Sequence, residues 1–308
     1  MGKVVKYHFH PVEHCNMCHA GPENFKIMGR RLNSRQGYFP HNKGGILVTV
    51  KQCKKCKLIF SDPMPIPDRF EDHYGVPAEE YWKESHEDWW KIPEYFVLNR
   101  TKYVNHIIKL GPESKILDVG AGAGQVMKAF QDEGYDIYGI EPSEPFCRFI
   151  IEKMGVKAEK LKNVSIEDAE FPEGNFDFIN LAVVLEHLYD PSAAINKMIG
   201  WLKPEGILYI EVPSSKWLYG TLINFIYKLT GRGMVTNLSP MHPPYHLYEF
   251  SEESFRRNGD INGYDVQAVV HMNGDRFMPK LIDWPIWQFQ EKTHTGMQLA
   301  VYLQRKKK

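Results

Sequence analysis

From residue 111 onward the apolar positions repeat one unit: a short apolar run that stops at a glycine or an acid, then a stretch with helical spacing. The run over 115–120 predicts a buried strand, and the 3.6-residue pattern over 125–133 predicts a helix that stops at Gly134. A second strand over 136–140 ends at Glu141, which completes a βαβ unit with a glycine-rich first turn. The pattern continues with a third element over 156–160 and a fourth strand over 175–181. A helix then runs to Leu202, the turn Lys203-Pro204-Glu205-Gly206 follows, and a fifth strand covers 207–213. Two late apolar runs, 263–266 and 297–303, predict a closing antiparallel pair.

The first 110 residues lack this rhythm and are punctuated by cysteine, proline and aromatic residues instead. Cys15-Asn16-Met17-Cys18 and Cys53-Lys54-Lys55-Cys56 are two matched C-x-x-C pairs. Four thiolates so spaced suit one tetrahedral structural zinc with no open position, as in a zinc ribbon. His14 and His19 flank the first pair as substitute ligands, and Cys147 predicts a small buried residue. Asp62-Pro63-Met64-Pro65-Ile66-Pro67 reads as a stiff linker. The aromatic stretch Tyr74, Tyr81, Trp82, Trp89, Trp90, Tyr95 and Phe96 reads as a helical pair packed on the next domain; a sharper alternative has Tyr81 or Trp82 closing over a cofactor. The expected division is a zinc-ribbon module over 1–67, a helical aromatic-rich linker over 68–110 and a catalytic domain over 111–308, with an inserted lid at about 214–244.

Composition narrows the picture. The 308 residues are 43% hydrophobic and 25% charged, enough for a sizeable core and against global disorder. Lys and Arg number 38, as do Asp and Glu, so net charge demands neither nucleic acid nor an anionic membrane. Met1 to His10 has no apolar core of signal-peptide length, and no apolar run approaches the roughly 18 residues of a spanning helix. These features predict a cytoplasmic protein whose cysteines are reduced, which favours metal over disulfides at the paired sites.

The glycine turn is the most specific signal. A dinucleotide fingerprint needs a third glycine where Gln125 stands; the pattern is Asp118-x-Gly120-x-Gly122-x-Gly124. With Glu141 after the second strand, the block Asn175-Phe176-Asp177 and the segment Glu186-His187-Leu188-Tyr189-Asp190-Pro191, the chain resembles the class I S-adenosylmethionine (SAM)-dependent methyltransferases. The resemblance implies an α/β, Rossmann-like seven-stranded sheet carrying a small N-terminal zinc-ribbon module. It places SAM against Asp118, Gly120, Ala121, Gly122 and Gly124, with Glu141 on the ribose and Pro142 beside it. Glu167 or Asp168 would meet the adenine, because Ser165 stands where the family commonly has Asp; Leu181 closes the cofactor set.

A zinc ribbon on this core is similar to the C-methyltransferases of deoxysugar biosynthesis and to enzymes of polysaccharide pathways. Those enzymes handle the acceptor's proton after the fifth strand, where this chain has Tyr245-His246-Leu247-Tyr248-Glu249-Phe250. His246 is thus the expected general base, with Tyr248 and His187 as further catalytic candidates and His187 read mainly as a packing residue. The expected partner is a small-molecule acceptor, a sugar or other biosynthetic intermediate that is nucleotide-linked or lipid-linked, methylated at O or C. No nucleic-acid partner is expected. The alternative is an RNA methyltransferase gripping RNA through Lys51, Lys54, Lys55 and Lys57 on the ribbon. The apolar segment over 217–229 reads as a lid, with a dimer contact or an interface-seeking helix as alternatives.

Overall fold

The structure, a computed structural model, describes residues 6–33, 46–69, 74–75, 77–81, 96–235, 246–273 and 280–307. The N-terminal part consists of β1 (Tyr7–His10), β2 (Phe25–Asn33), β3 (Ile46–Cys53), β4 (Ile59–Asp62) and β5 (Met64–Pro67). Strands β2, β3 and β4 form an antiparallel sheet, and β1 pairs with β5. The expected linker over 62–67 is therefore a strand. Its prolines alternate with Met64 and Ile66, so one edge keeps its amide donors and can pair, as prolines on edge strands allow.

The second part is built on β6 (Lys115–Val119), β7 (Asp136–Ile140), β8 (Leu161–Lys162), β9 (Phe176–Ala182), β10 (Leu202–Pro213), β12 (Tyr264–Met272) and β13 (Gln298–Arg305); between them lies the short β11 (Tyr248–Glu249). The sheet order is β12-β13-β10-β9-β6-β7-β8. Strands β6 to β10 are parallel, and β13 runs antiparallel between β10 and β12. This is the expected seven-stranded methyltransferase sheet. Its central strands are mostly apolar because helices cover them: Ile116, Leu117, Phe178, Ile179, Leu208 and Ile210 are fully buried. Each such side chain contributes about 1.5–3 kcal/mol of transfer free energy. Two boundaries differ from the sequence reading. The third strand is the two-residue β8, just past 156–160. The turn over 203–206 is absorbed as an irregularity in β10, where a Cβ on Gly206 would sit 2.8 Å from the Phe176 carbonyl of β9.

The main helices are α1 (Gln125–Asp132), α2 (Glu144–Glu152), α3 (Pro191–Trp201), α4 (Leu218–Leu229), α5 (Glu252–Asn262) and α6 (Lys280–Thr293). Their starts are written in the chain. Asp190 Oδ1 accepts from Ala193 N at 2.9 Å ahead of α3, and Ser251 and Ser254 form a reciprocal capping box on α5. Of the aromatic stretch, Trp82, Trp89, Trp90 and Tyr95 lie outside the described residues, as do 236–244 of the expected lid.

The two parts are joined through hydrogen-bonded backbone. Strand β11, which follows the catalytic sheet's fifth strand in sequence, pairs with β4 and becomes the fourth strand of the ribbon sheet. One hydrophobic cluster runs from Cys15, Met17, Leu58 and Phe60 through Tyr248 and Phe250 to Leu181 and Leu208.

Candidate active site

The strand order reverses beside β6, and the carboxyl ends of β6, β7 and β9 open there into a cleft of about 1100 Å³. Gly120, Gly122 and Gly124 all have positive φ, at 69°, 55° and 76°. Space is as limiting as angle: a Cβ on Gly120 would lie 2.6 Å from Val184 Cγ2, and one on Gly124 would lie 2.9 Å from Ile150 Cγ1. Gly124 caps α1, while Gly120, Ala121 and Gly122 line the cleft. Asp118 and Asn180 sit opposite each other on β6 and β9, and Asn180 Nδ2 donates to Asp118 Oδ1 at 2.7 Å. Asp118 Oδ2 is buried and accepts no hydrogen bond.

Glu141 is 5% exposed, yet its carboxylate is held by backbone amides: Gly122 N donates to Oε2 and Ser143 N to Oε1, both at 2.8 Å. Each oxygen keeps a further lone pair for a ligand hydroxyl. Burial pushes Asp118 up to about 6 and Glu141 up to about 7, offset in part by these hydrogen bonds. Two buried carboxylates in one cleft favour a cationic ligand. Pro142, Glu167 and Asp168 also line the cleft, and Ser165 Oγ both donates to Asp168 Oδ2 and accepts from Asp168 N. Leu181 does not: its side chain is in the core, and its neighbours Asn180 and Ala182 face the cleft, as alternation along a strand requires.

The opposite wall assembles residues far apart in sequence. His187 lies on the turn Leu185–His187 after β9 and lines the cleft with Tyr74, Tyr81 and Tyr189. Its Nδ1 is 2.9 Å from the Tyr74 hydroxyl. The His246 ring stands edge-on to it, centroids 4.6 Å apart, and is not on the cleft wall. Behind both is Glu186, fully buried, with one carboxylate oxygen 3.8 Å from His246 Nε2. The Glu186 carbonyl accepts from Leu247 N at 2.7 Å, which fixes the His246 loop. Burial pushes Glu186 up to about 8. Ligand atoms of Glu186, His187 and His246 lie within 4.8 Å of one another, close enough to share a proton or an ion. Tyr248, the third catalytic candidate, is wholly buried; its hydroxyl donates to the Tyr189 carbonyl at 2.9 Å and supports the wall from outside.

The sequence reading missed Glu186, Arg100 and Asn180 and gave Tyr74 no role. Arg100 and Tyr74 line the cleft from a region with no motif, so only the fold could reveal them.

The four paired cysteines converge. Cys15 Sγ is 3.4 Å from Cys56 Sγ, Cys18 Sγ is 3.6 Å from Cys53 Sγ, and all four lie within 4.8 Å. A tetrahedron with sulfurs about 2.3 Å from zinc has edges of about 3.8 Å, so the spacing fits. The two knuckles match: His19 N and Lys57 N each donate to the carbonyl of the cysteine four residues earlier, and both have left-handed φ, 55° and 64°. His19 thus serves through its backbone; it and His14 are exposed and outside the cluster. Hydrogen bonds shared among the thiols push Cys15 and Cys56 up and Cys53 down, so ionising all four calls for a cation.

Residues 94–269, more than half of the chain, match the family described as a methyltransferase domain. The chain belongs to that family and is a SAM-dependent methyltransferase. An uncharacterized methyltransferase of Schizosaccharomyces pombe is 32% identical over 146 residues, covering 44% of this chain and 49% of that one, about half the relative's length. A ubiquinone biosynthesis O-methyltransferase of Coxiella burnetii is 27% identical over 196 residues, 58% of this chain and 80% of that one. Among solved structures, a SAM-dependent methyltransferase from Archaeoglobus fulgidus superposes with a TM-score of 0.46 at 16% identity, covering 69% of this chain and 95% of the other.

Proposed function

We propose that the protein methylates an oxygen or carbon of a small biosynthetic intermediate, with His187 as the group nearest the acceptor. The observation that carries this reading is the placement of His187 on the cleft wall, held by Tyr74 at Nδ1 and backed by His246 and Glu186. The sequence favoured His246 as base; in this reading the wall position supports His187 in that role, with His246 and Glu186 as positioning residues. The relatives described as O-methyltransferases support a hydroxyl acceptor. A sugar acceptor rests on the ribbon-plus-core resemblance alone. Asp118 Oδ2 would accept from the amino-acid end of SAM, Glu141 from the ribose hydroxyls, and Glu167 or Asp168 from the adenine amine.

When bound, SAM would supply an electrophilic methyl group for the acceptor atom, its sulfur keeping the electron pair of the broken bond. The chain's part is to bring the acceptor into line, exclude water and receive the acceptor's proton. The base role requires the tautomer in which His187 Nδ1 donates to the Tyr74 oxygen and Nε2 accepts. Zinc at Cys15, Cys18, Cys53 and Cys56 would be structural. The RNA reading loses footing on the ribbon, because Lys51 pairs with Asp62, while Lys54 and Lys57 donate to the Glu23 and Lys54 carbonyls.

The test is metabolite profiling with purified enzyme and SAM, followed by His187→Ala on the acceptor found. We expect turnover to fall at least about a hundred-fold with SAM affinity unchanged. Unchanged turnover would sink the assignment of His187.

A further inference from the structure

Helix α4 is mounted the wrong way round for a surface helix. Gly220, Asn224 and Tyr227, spaced to share one face, turn inward: Gly220 is buried and the other two are half-buried. The complementary face, Leu222, Phe225, Ile226 and Leu229, turns outward at 49%, 58%, 54% and 71% exposure. A surface helix of a globular protein puts such a stripe on its core. A lid would also turn its apolar side inward, over the cleft. Across the described residues, a second apolar element lies on the same edge of the sheet. Helix α6 exposes Trp284 and Phe289, and Thr295, just beyond it, accepts from Leu218 N at the start of α4. Helix α4 follows the carboxyl end of β10, and α6 follows that of β12. These strands run in the same direction, because each is antiparallel to β13. Both helices therefore stand at the edge into which the cleft opens.

Charge identifies the occupant. No Asp or Glu occurs from Val212 to Tyr248, whereas Lys216, Lys228 and Arg232 in that stretch are exposed. The Arg232 guanidinium lies 5.3 Å from the Tyr227 ring centre, at the carboxyl end of the helix. A second copy packed through a two-fold axis that sets α4 against α4 would find no carboxylate there to meet Lys228; the acids Asp283 and Glu291 are on α6. A sheet of phosphate headgroups over acyl chains matches both the apolar stripe and its cationic ends.

We propose that α4 and α6 dock the enzyme on an anionic lipid bilayer, α4 lying in the interface with its stripe among the acyl chains and Lys216, Lys228 and Arg232 among the phosphates. The acceptor is then an amphiphile whose polar head enters the cleft while its tail stays in the membrane. That second statement rests on methyl transfer at the cleft; the docking does not.

The test is co-sedimentation of the full chain with phosphatidylcholine vesicles, with and without about one quarter phosphatidylglycerol. We expect binding to the anionic vesicles, about ten-fold tighter than to the neutral ones and weakened by salt. Phe225→Glu with Ile226→Glu should abolish it, while Lys228→Glu with Arg232→Glu should erase the preference for the anionic lipid. Melting temperature and SAM affinity should be unchanged in both, since the positions are exposed and off the cofactor wall; this separates loss of docking from loss of the methyl-transfer site. A protein that stays in the supernatant with anionic vesicles overturns the proposal. So does a dimer, seen by light scattering, that Phe225→Glu disperses.

Discussion

The two walls of the cleft are built on different principles. The wall proposed for the cofactor comes from consecutive residues: one strand, one glycine turn and one strand-end carboxylate held by the backbone amides of Gly122 and Ser143. The opposite wall, proposed for the acceptor, has no such unit. Tyr74, Glu186, His187 and His246 arrive from three separate segments, and their relative positions depend on how the N-terminal part seats against the sheet. A site made of local backbone tolerates change elsewhere in the molecule; a site made by convergence inherits every distant perturbation.

The largest expected effect tests that inheritance. Cys53→Ser should disable the four-cysteine cluster, where the proposed zinc would contribute on the order of 10 kcal/mol, as in small metal-folded units. We expect a clear fall in melting temperature and loss of turnover, with SAM still bound at near-normal affinity by calorimetry. Equal loss of SAM binding would show that the walls are not separable. Next, Gly120→Val should break the cofactor wall alone. Its Cβ meets Val184 and its φ is left-handed, so SAM binding should drop by at least about a hundred-fold while one zinc per chain remains by metal analysis. A variant that still binds SAM tightly would overturn the role given to the turn. On the acceptor wall, Glu186→Gln should lower turnover by about ten-fold and move the pH–rate profile, because it removes the buried carboxylate beside His246. An unmoved profile would leave Glu186 as packing only. The smallest effect is on pH. Glu141 has its carboxyl raised to about 7, so the protonated form, a poor acceptor for two ribose hydroxyls, gains population as pH falls below that value. SAM affinity should weaken on going from pH 8 to pH 6, by at most about ten-fold per unit, and Glu141→Gln should flatten the curve. A pH-independent affinity in the native protein would refute the ribose assignment.

The same contrast governs what could be read in the sequence. The βαβ unit, Asp118, the glycines and Glu141 were legible because strand period, helix period and turn chemistry all lie within thirty or so neighbouring residues. The four thiolates were legible because C-x-x-C spacing itself encodes a knuckle. The acceptor wall was legible only as types: His187 and His246 were named, but which one faces the cleft depends on how the 3₁₀ turn after β9 meets the loop before β11. Glu186 was passed over as part of a family block, since burial of a carboxylate is a tertiary fact. The strand over 64–67 was read as a linker because proline content outweighed its alternation.

The junction at β11 has a consequence for how this protein can be cut and inherited. Ser251 and Ser254 at the head of α5 both donate to the carbonyl of Cys56, at 2.8 and 2.9 Å, and Asn258 of the same helix donates to Met17 between the other cysteine pair. A break at residue 67 would strand Tyr248–Glu249 as a raw edge and take from each of three side-chain donors its backbone acceptor. The knuckles and the catalytic sheet are thus interlocked like the two leaves of a hinge with the pin driven in. A recombination that exchanged the first 67 residues for another ribbon would have to bring along a matching loop near residue 250, so the two sequences should travel through evolution as a linked pair.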